Sequence, residues 1–176
     1  MKIWTFDFET HFSDDYTLRK QTTEEYIRDP RFEALLLGVR TPEGVYHWVE
    51  QDAIAKYLSL IDWSDAAVLC HHAQFDGLIL SHHYGVRPQV WLDTLSMARL
   101  QLGNYVSVAL SSLTKRYGLP DKSVPYDKFR GRRWAELPFD LREELGVGCV
   151  HDVELTYRIF VALMKGEEPP LEMHYA

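Results

Sequence analysis

Cysteine is scarce in this chain of 176 residues: there are two, Cys70 and Cys149, each within apolar sequence and neither in a paired metal-ligand spacing. Two cysteines cannot build a disulfide framework, so both read as reduced core residues of a cytoplasmic protein. Long hydrophobic runs are also missing. None approaches the roughly 18–20 residues that a membrane helix needs, and the opening MKIWTFDFET meets a carboxylate at Asp7 before a signal-peptide core could form. No membrane partner is therefore expected. A Cys/His ligand cluster is absent, which argues against zinc; His82 and His83 are adjacent on a predicted helix and face different directions. Positive charge is in short supply, with 19 Lys and Arg against 26 Asp and Glu and a net charge of −7. That balance opposes broad, sequence-independent adhesion to nucleic acid. It leaves room for an enzyme on nucleic acid, because a metal site built from carboxylates itself lowers the net charge.

What is present is an ordinary globular composition, 46% hydrophobic and 26% charged, at a length that suits one domain with a real core. Lys2 to Glu9, rich in aromatic and β-branched residues, reads as a strand. A polar stretch over 13–30 reads as a loop with a short helix around Glu24–Arg28. Phe32–Arg40 and Val45–Val49 read as a hairpin around Pro42-Glu43-Gly44. Asp52–Ile61 has helical spacing behind an Asp cap. Ala66–His71 reads as a buried strand, Phe75–Tyr84 as a helix closed by Gly85, and Val90–Leu92 as a short strand. Helical patterns follow over Ser96–Leu102 and Val106–Tyr117, then over Phe139–Leu145 and Val150–Lys165. The order predicts an α/β fold, a mixed sheet covered by helices, spanning 1–166 with a C-terminal tail over 167–176.

The segment 119–136 lacks periodicity, and such a stretch in a small domain is usually functional or mobile. From Lys115 to Arg133 the chain carries seven basic residues against two acids, Asp121 and Asp127. This is either a solvated basic loop or a phosphate-contacting flap, with Arg130, Arg132 and Arg133 as its cationic end.

In Phe6-Asp7-Phe8-Glu9-Thr10, residues two apart share a face of the strand, so Asp7 and Glu9 point one way while Phe6 and Phe8 point to the core. Neighbouring carboxylates repel unless a cation or proton lies between them. Either both are solvated at the surface or they hold a hard divalent ion. Asp76 follows a predicted strand where the chain turns into a helix, the kind of position at which ligands gather in α/β sheets. Asp152, placed near the start of the last predicted helix, either stabilises that helix terminus or joins the other acids.

Together FDFET (6–10), HAQFD (72–76) and HDVELT (151–156) resemble the three motifs of the DEDD, or DnaQ-like, 3′–5′ exonucleases, most of all the proofreading domain of phage and bacterial family A DNA polymerases. YIRDPRFEALLLGV, LDTLSMARL and SLTKRYGL between them agree, so the resemblance covers roughly residues 2–165. It implies an RNase H-like fold with a central five-stranded mixed sheet flanked by helices. It also implies two divalent cations, Mg2+ or Mn2+, with Asp7 bridging both, Glu9 and Asp152 completing one site and Asp76 holding the second through water. Two such ions can activate water and stabilise the leaving 3′ oxygen. Phe8, Thr10 and Phe75 would line the pocket of the terminal nucleotide. The implied reaction is hydrolysis of single-stranded or frayed DNA to nucleoside 5′-monophosphates. An RNA-trimming exoribonuclease and a weakly active or non-catalytic nucleic-acid- or polymerase-binding subunit are the alternatives. No polymerase domain follows, so a separate polymerase subunit is an expected partner; the resemblance suggests a phage origin and hence the host cytoplasm.

Two departures stand out. The tyrosine branch of this family has a water-positioning Tyr four residues before the last Asp, where this chain has Gly148, and the histidine branch has a His five before it, where this chain has Val147. Residues 148 and 152 are i, i+4 neighbours on a helix, so a side chain at 148 would overhang the carboxylate. A lower rate is expected, with Gly148→Tyr raising it if the backbone is family-like. Gly146 and Gly148 are expected to weaken the helix start. His151 points about 100° away from Asp152 on a helix. His72 stands where the family usually has Asn; it could bond a phosphate or accept a proton, or be a satisfied or exposed histidine.

Overall fold

Strand β1 (Lys2–Thr10) is the central strand, and its alternation decides which side chains go where. Phe6 and Phe8 are buried in one core, while Asp7 and Glu9 lie on the opposite face. The computed structural model describes residues 1–121 and 124–166. Within them β1 pairs antiparallel with β2 (Ala34–Arg40) and parallel with β4 (Ala66–Cys70). Strand β3 (Tyr46–Glu50) extends the β2 edge and β5 (Val90–Asp93) the β4 edge. The result is the five-stranded mixed sheet β3-β2-β1-β4-β5, an RNase H-like α/β architecture as the resemblance implied.

Helices α2 (Gln51–Ser59) and α3 (Ala73–Tyr84) build the core around Phe6 and Phe8, through Ile54, Leu58, Ile79 and Leu80. Helix α1 (Thr23–Arg28) is started by a capping box, Thr22 with Glu25, and adds Tyr26 and Ile27 to the same core. Helices α4 (Thr94–Leu102) and α5 (Leu110–Arg116) pack with the end of α6 (Phe139–Lys165) around Leu113, Leu155 and Ile159.

Several boundaries differ from the sequence reading. The two predicted helices at the C-terminal end are one helix, α6, of 27 residues. Gly146 and Gly148 lie inside it because they are points of close approach: an added Cβ would fall 2.4 Å from Trp48 Cε2 at Gly146 and 2.8 Å from Val124 Cγ2 at Gly148. Each interior glycine costs about 1 kcal/mol of helix propensity, which dense packing offsets. Asp152 is consequently mid-helix, and a role in stabilising a helix N-terminus is excluded. Asp52 does not cap α2; Glu50 occupies that position without a side-chain bond. Helix α5 begins at Leu110, four residues later than its pattern predicts. The segment 119–136 contains two short 3-10 turns, Tyr126–Lys128 and Trp134–Glu136. The predicted tail, 167–176, and Lys122 lie outside the described residues.

Candidate metal centre

Sheet topology creates the site. The β1–β4 pairing ends at Thr5 and Leu69, whereas β1 runs on to Thr10. Past that point the Phe8 N–H has no sheet partner on the β4 side, and it donates instead to Asp76 Oδ1 at 2.9 Å. The turn that delivers Asp76 is fixed by His72, whose left-handed backbone (φ 71°) is the one positive-φ non-glycine conformation among the described residues. Asp93 holds that turn: its Oδ1 accepts from the His72 backbone N–H at 2.8 Å and caps α4 through Leu95 N–H at 3.0 Å.

On the other side α6 presses onto β1 and β2. It can do so because β2 has Gly38, where a Cβ would sit 2.7 Å from Cys149 Sγ and 2.9 Å from Val153 Cγ2. The close approach sets the Cys149 thiol against Asp7, donating to its carbonyl oxygen at 3.2 Å with Asp7 Oδ2 at 3.4 Å. Ligand atoms of Asp7, Glu9 and Cys149 all lie within 4.8 Å of one another. Asp76 and Asp152, both buried, fall outside that tightest group.

The electrostatics suit a cation. Burial, and then the charge of Asp7, push the Asp76 carboxyl well above the usual carboxylate range. Burial followed by Asp7, Glu9 and Asp152 likewise pushes the Cys149 thiol up. Buried carboxylates that resist sharing negative charge are the donor set that a hard divalent ion relieves. Asp7 and Glu9, with Cys149, could chelate a divalent metal.

A cavity of about 600 Å³ opens beside this group, within the roughly 300–1,000 Å³ range of small-molecule sites. Of the residues expected in a substrate site, Phe8, Thr10, Phe75 and Arg130 line it together with Asp7 and Glu9. The Thr10 hydroxyl is already bonded to Tyr26 Oη at 2.8 Å. His72, His151, Arg132 and Arg133 are not among its lining residues. The His151 ring is tied through Nε2 to the Asp121 carbonyl at 2.9 Å. Arg132 is exposed, and Arg133 pairs with Glu33 at 2.8 Å. Much of the basic segment is engaged similarly, Lys128 with Glu144 at 2.8 Å and Arg130 with Asp14 and Asp127 at 3.1 Å each.

Sequence reasoning missed Cys149 and Tyr126 as members of the site. Cys149 stands three residues before Asp152 on one helical face, a spacing that could have pointed to it. Tyr126 lies in a segment without periodicity and carried no local signal. It lines the cavity with Asp7 and Glu9. Burial, and then the charges of Glu9, Asp7 and Asp152, push its phenol far from ionising. The space beside Gly148 is not open for a larger side chain either, since Val124 fills it. A side chain at 148 would have to displace Val124 first.

No family model matches the sequence, and no curated protein is similar to it in sequence. Solved structures are similar in fold. Brucella melitensis NrnC superposes with a TM-score of 0.66 at 16% identity, over 94% of this chain and 73% of that one. The catalytic core of RRP6 from Trypanosoma brucei gives 0.60 at 14% identity, over 93% and 41%. The POL domain of Pol1 from M. smegmatis gives 0.51 at 17% identity, over 77% of this chain and 21% of that one. The chain shares the RNase H-like α/β fold of these structures, a likeness not specific to a polymerase.

Proposed function

We propose that this protein is a divalent-metal-dependent 3′–5′ exonuclease that trims single-stranded nucleic acid to nucleoside 5′-monophosphates. The observation that carries the reading is the Asp7–Glu9 pair, packed against Cys149 and opening into a cavity at the end of the central strand. Asp76 and Asp152 flank the pair from α3 and α6. These are the four acids that the sequence motifs single out, and they are assigned as the ligands of two Mg2+ or Mn2+ ions.

Bound there, the cations would supply positive charge for the phosphate oxygens and for an incoming water. The chain's own residues do the rest. Phe8 and Phe75 offer apolar walls for the terminal base, whose stacking needs no sequence preference. Arg130, which lines the cavity, would contact the phosphate backbone. Water oxygen bonds to phosphorus, the bond from phosphorus to the 3′ oxygen breaks, and the proton lost by the water ends on that oxygen.

RNA ends are placed ahead of DNA ends as substrate. The fold likeness extends over nearly the whole chain for NrnC, which has also been solved with bound Mg2+ and with pGG. It extends over a smaller share for the polymerase. A separate polymerase partner rests on the sequence resemblance alone.

The test is incubation with 3′-end-defined RNA and DNA oligonucleotides in Mg2+, in Mn2+ and in chelator, beside Asp7→Ala. Stepwise shortening that needs metal and falls by at least about 10³-fold in Asp7→Ala is expected, since the acid would hold both ions. Binding without shortening under every metal condition would overturn the enzyme in favour of a binding module.

A further inference from the structure

Gly148 leaves no side chain above Asp152 on α6, and the structure puts something else in that place. Val124 sits against the Gly148 backbone, its Cγ2 only 2.8 Å from where a Cβ would be and its own backbone N and Cα at 3.5 and 3.4 Å. Two residues on, the chain enters the 3-10 turn Tyr126–Lys128, and Tyr126 enters the cavity that Asp7 and Glu9 also line. The loop thus takes the volume that a residue at 148 would have used.

That turn is held from several sides. The Phe129 backbone N–H donates to the Tyr126 carbonyl at 3.0 Å, and the Phe129 side chain is buried in the core beneath α6. Gly131 N–H donates to the Phe12 carbonyl at 2.7 Å, and the Phe12 ring stands edge-on to Tyr126 at 6.5 Å. Arg130 bridges Asp127, inside the turn, to Asp14 on the opposite wall. Tyr126 is therefore carried on a fixed loop, and it lines the cavity while the residue stays 41% exposed. The two histidines near the acids do not compete for this role: His151 is bonded to Asp121 and His72 lies off the cavity.

Resting on the exonuclease reading above, we propose that Tyr126, delivered by the 124–131 loop, is the catalytic hydroxyl of this site and hydrogen-bonds the water that attacks the scissile phosphate. The hydroxyl keeps its own proton throughout. Its contribution is to hold the water in line above Asp7 and Glu9, and orientation of this kind is worth about 10- to 100-fold in rate. Glycine at 148 is then a requirement of the loop's path, because any side chain there would lift Val124 and carry Tyr126 out of position.

Two measurements test this on the full chain. Tyr126→Phe is expected to lower kcat about 10- to 100-fold, with KM and the Mn2+ dissociation constant, read by titration calorimetry, each within about twofold of the parent. Independently of turnover, 3-fluorotyrosine placed at position 126 is expected to shift its 19F resonance when a nucleoside 5′-monophosphate is added with Mg2+. An active parent whose Tyr126→Phe form is equally fast, or a 19F signal unmoved by saturating ligand, overturns the role of Tyr126 while leaving the exonuclease standing. Loss of Mn2+ binding in Tyr126→Phe also overturns it, because the phenol would then be supporting the ligands. A parent inert on every substrate and metal overturns both.

Discussion

Gly148 has one hydrogen where its neighbours on α6 have side chains, and that hydrogen faces Val124. Overpacking at such a contact is relieved by moving the loop or bending the helix, at a typical cost of about 1–3 kcal/mol. Gly148→Tyr is therefore expected to reduce the exonuclease rate rather than raise it, and to lower the urea midpoint as well. Single-turnover kinetics with the unfolding curve read both effects; a faster and equally stable variant would mean that the loop yields without harm. Cys149, next in sequence, makes a related point. It is buried as an apolar residue would be, yet its thiol meets the Asp7 carboxylate because Gly38 lets the helix that close.

At the scale of elements, the segment between α5 and α6 is fastened by charges it does not itself contain. Glu33, just before β2, accepts from the Trp134 backbone N–H at 2.8 Å, from Arg133 at 2.8 Å and from Gln51 at 3.0 Å. Burial works to raise its pKa, but these three donors outweigh burial and hold it below the ordinary glutamate value of 4.5. A carboxyl depressed in the folded state contributes stability above its unfolded pKa and loses it as pH falls through the folded one. Glu33→Ala is expected to cost about 1–3 kcal/mol at pH 7, the scale for leaving hydrogen-bonding groups unpaired. Parent and variant should converge in urea titrations as the pH falls progressively below 4.5. A gap that is unchanged in acid would assign the cost to packing instead of charge. Helix α6 is the other organising element, since one continuous helix bears Cys149 and Asp152 and also covers the sheet.

Over the whole molecule, two stacked tyrosines stand out, of which Tyr26 lines the cavity. Tyr16 and Tyr26 lie with ring centroids 4.4 Å apart, and their hydroxyls bond the Tyr26 and His11 carbonyls respectively. Burial first, and then the neighbouring Tyr26, push Tyr16 far above its ordinary value. Burial, then the charge of Glu9, pushes Tyr26 up to about 12, against bonds from Thr10 and Tyr16 that pull it down. Groups raised in the folded state stabilise it fully below their unfolded pKa, here 10.0, and the benefit is lost as pH climbs through the folded value. Stability is therefore expected to fall between about pH 10 and 12, with a shallower decline in Tyr26→Phe, as read by circular dichroism during alkaline titration. The same slope in both proteins would remove Tyr26 from the account. Among the described residues no helix is long and apolar enough to cross a membrane.

The sequence by itself determined the α/β class and the succession of strands and helices along the chain, and it singled out the ordered set of acids, because alternation along Phe6-Asp7-Phe8-Glu9 and the apolar spacing of the helices are local properties of the chain. It misjudged α6 as two helices, since Gly146 and Gly148 look like breaks until Trp48 and Val124 are seen against them. Only the tertiary structure decided which residues share the cavity. Asp7 and Cys149 are separated by 142 positions, and Tyr126 sits in a loop with no period to read, so their meeting depends on how closely α6 can lie on the sheet. That closeness is set by missing side chains at Gly38 and Gly146, and the loop's approach to α6 by the one at Gly148, and the partners of a missing side chain are visible only once the chain is folded.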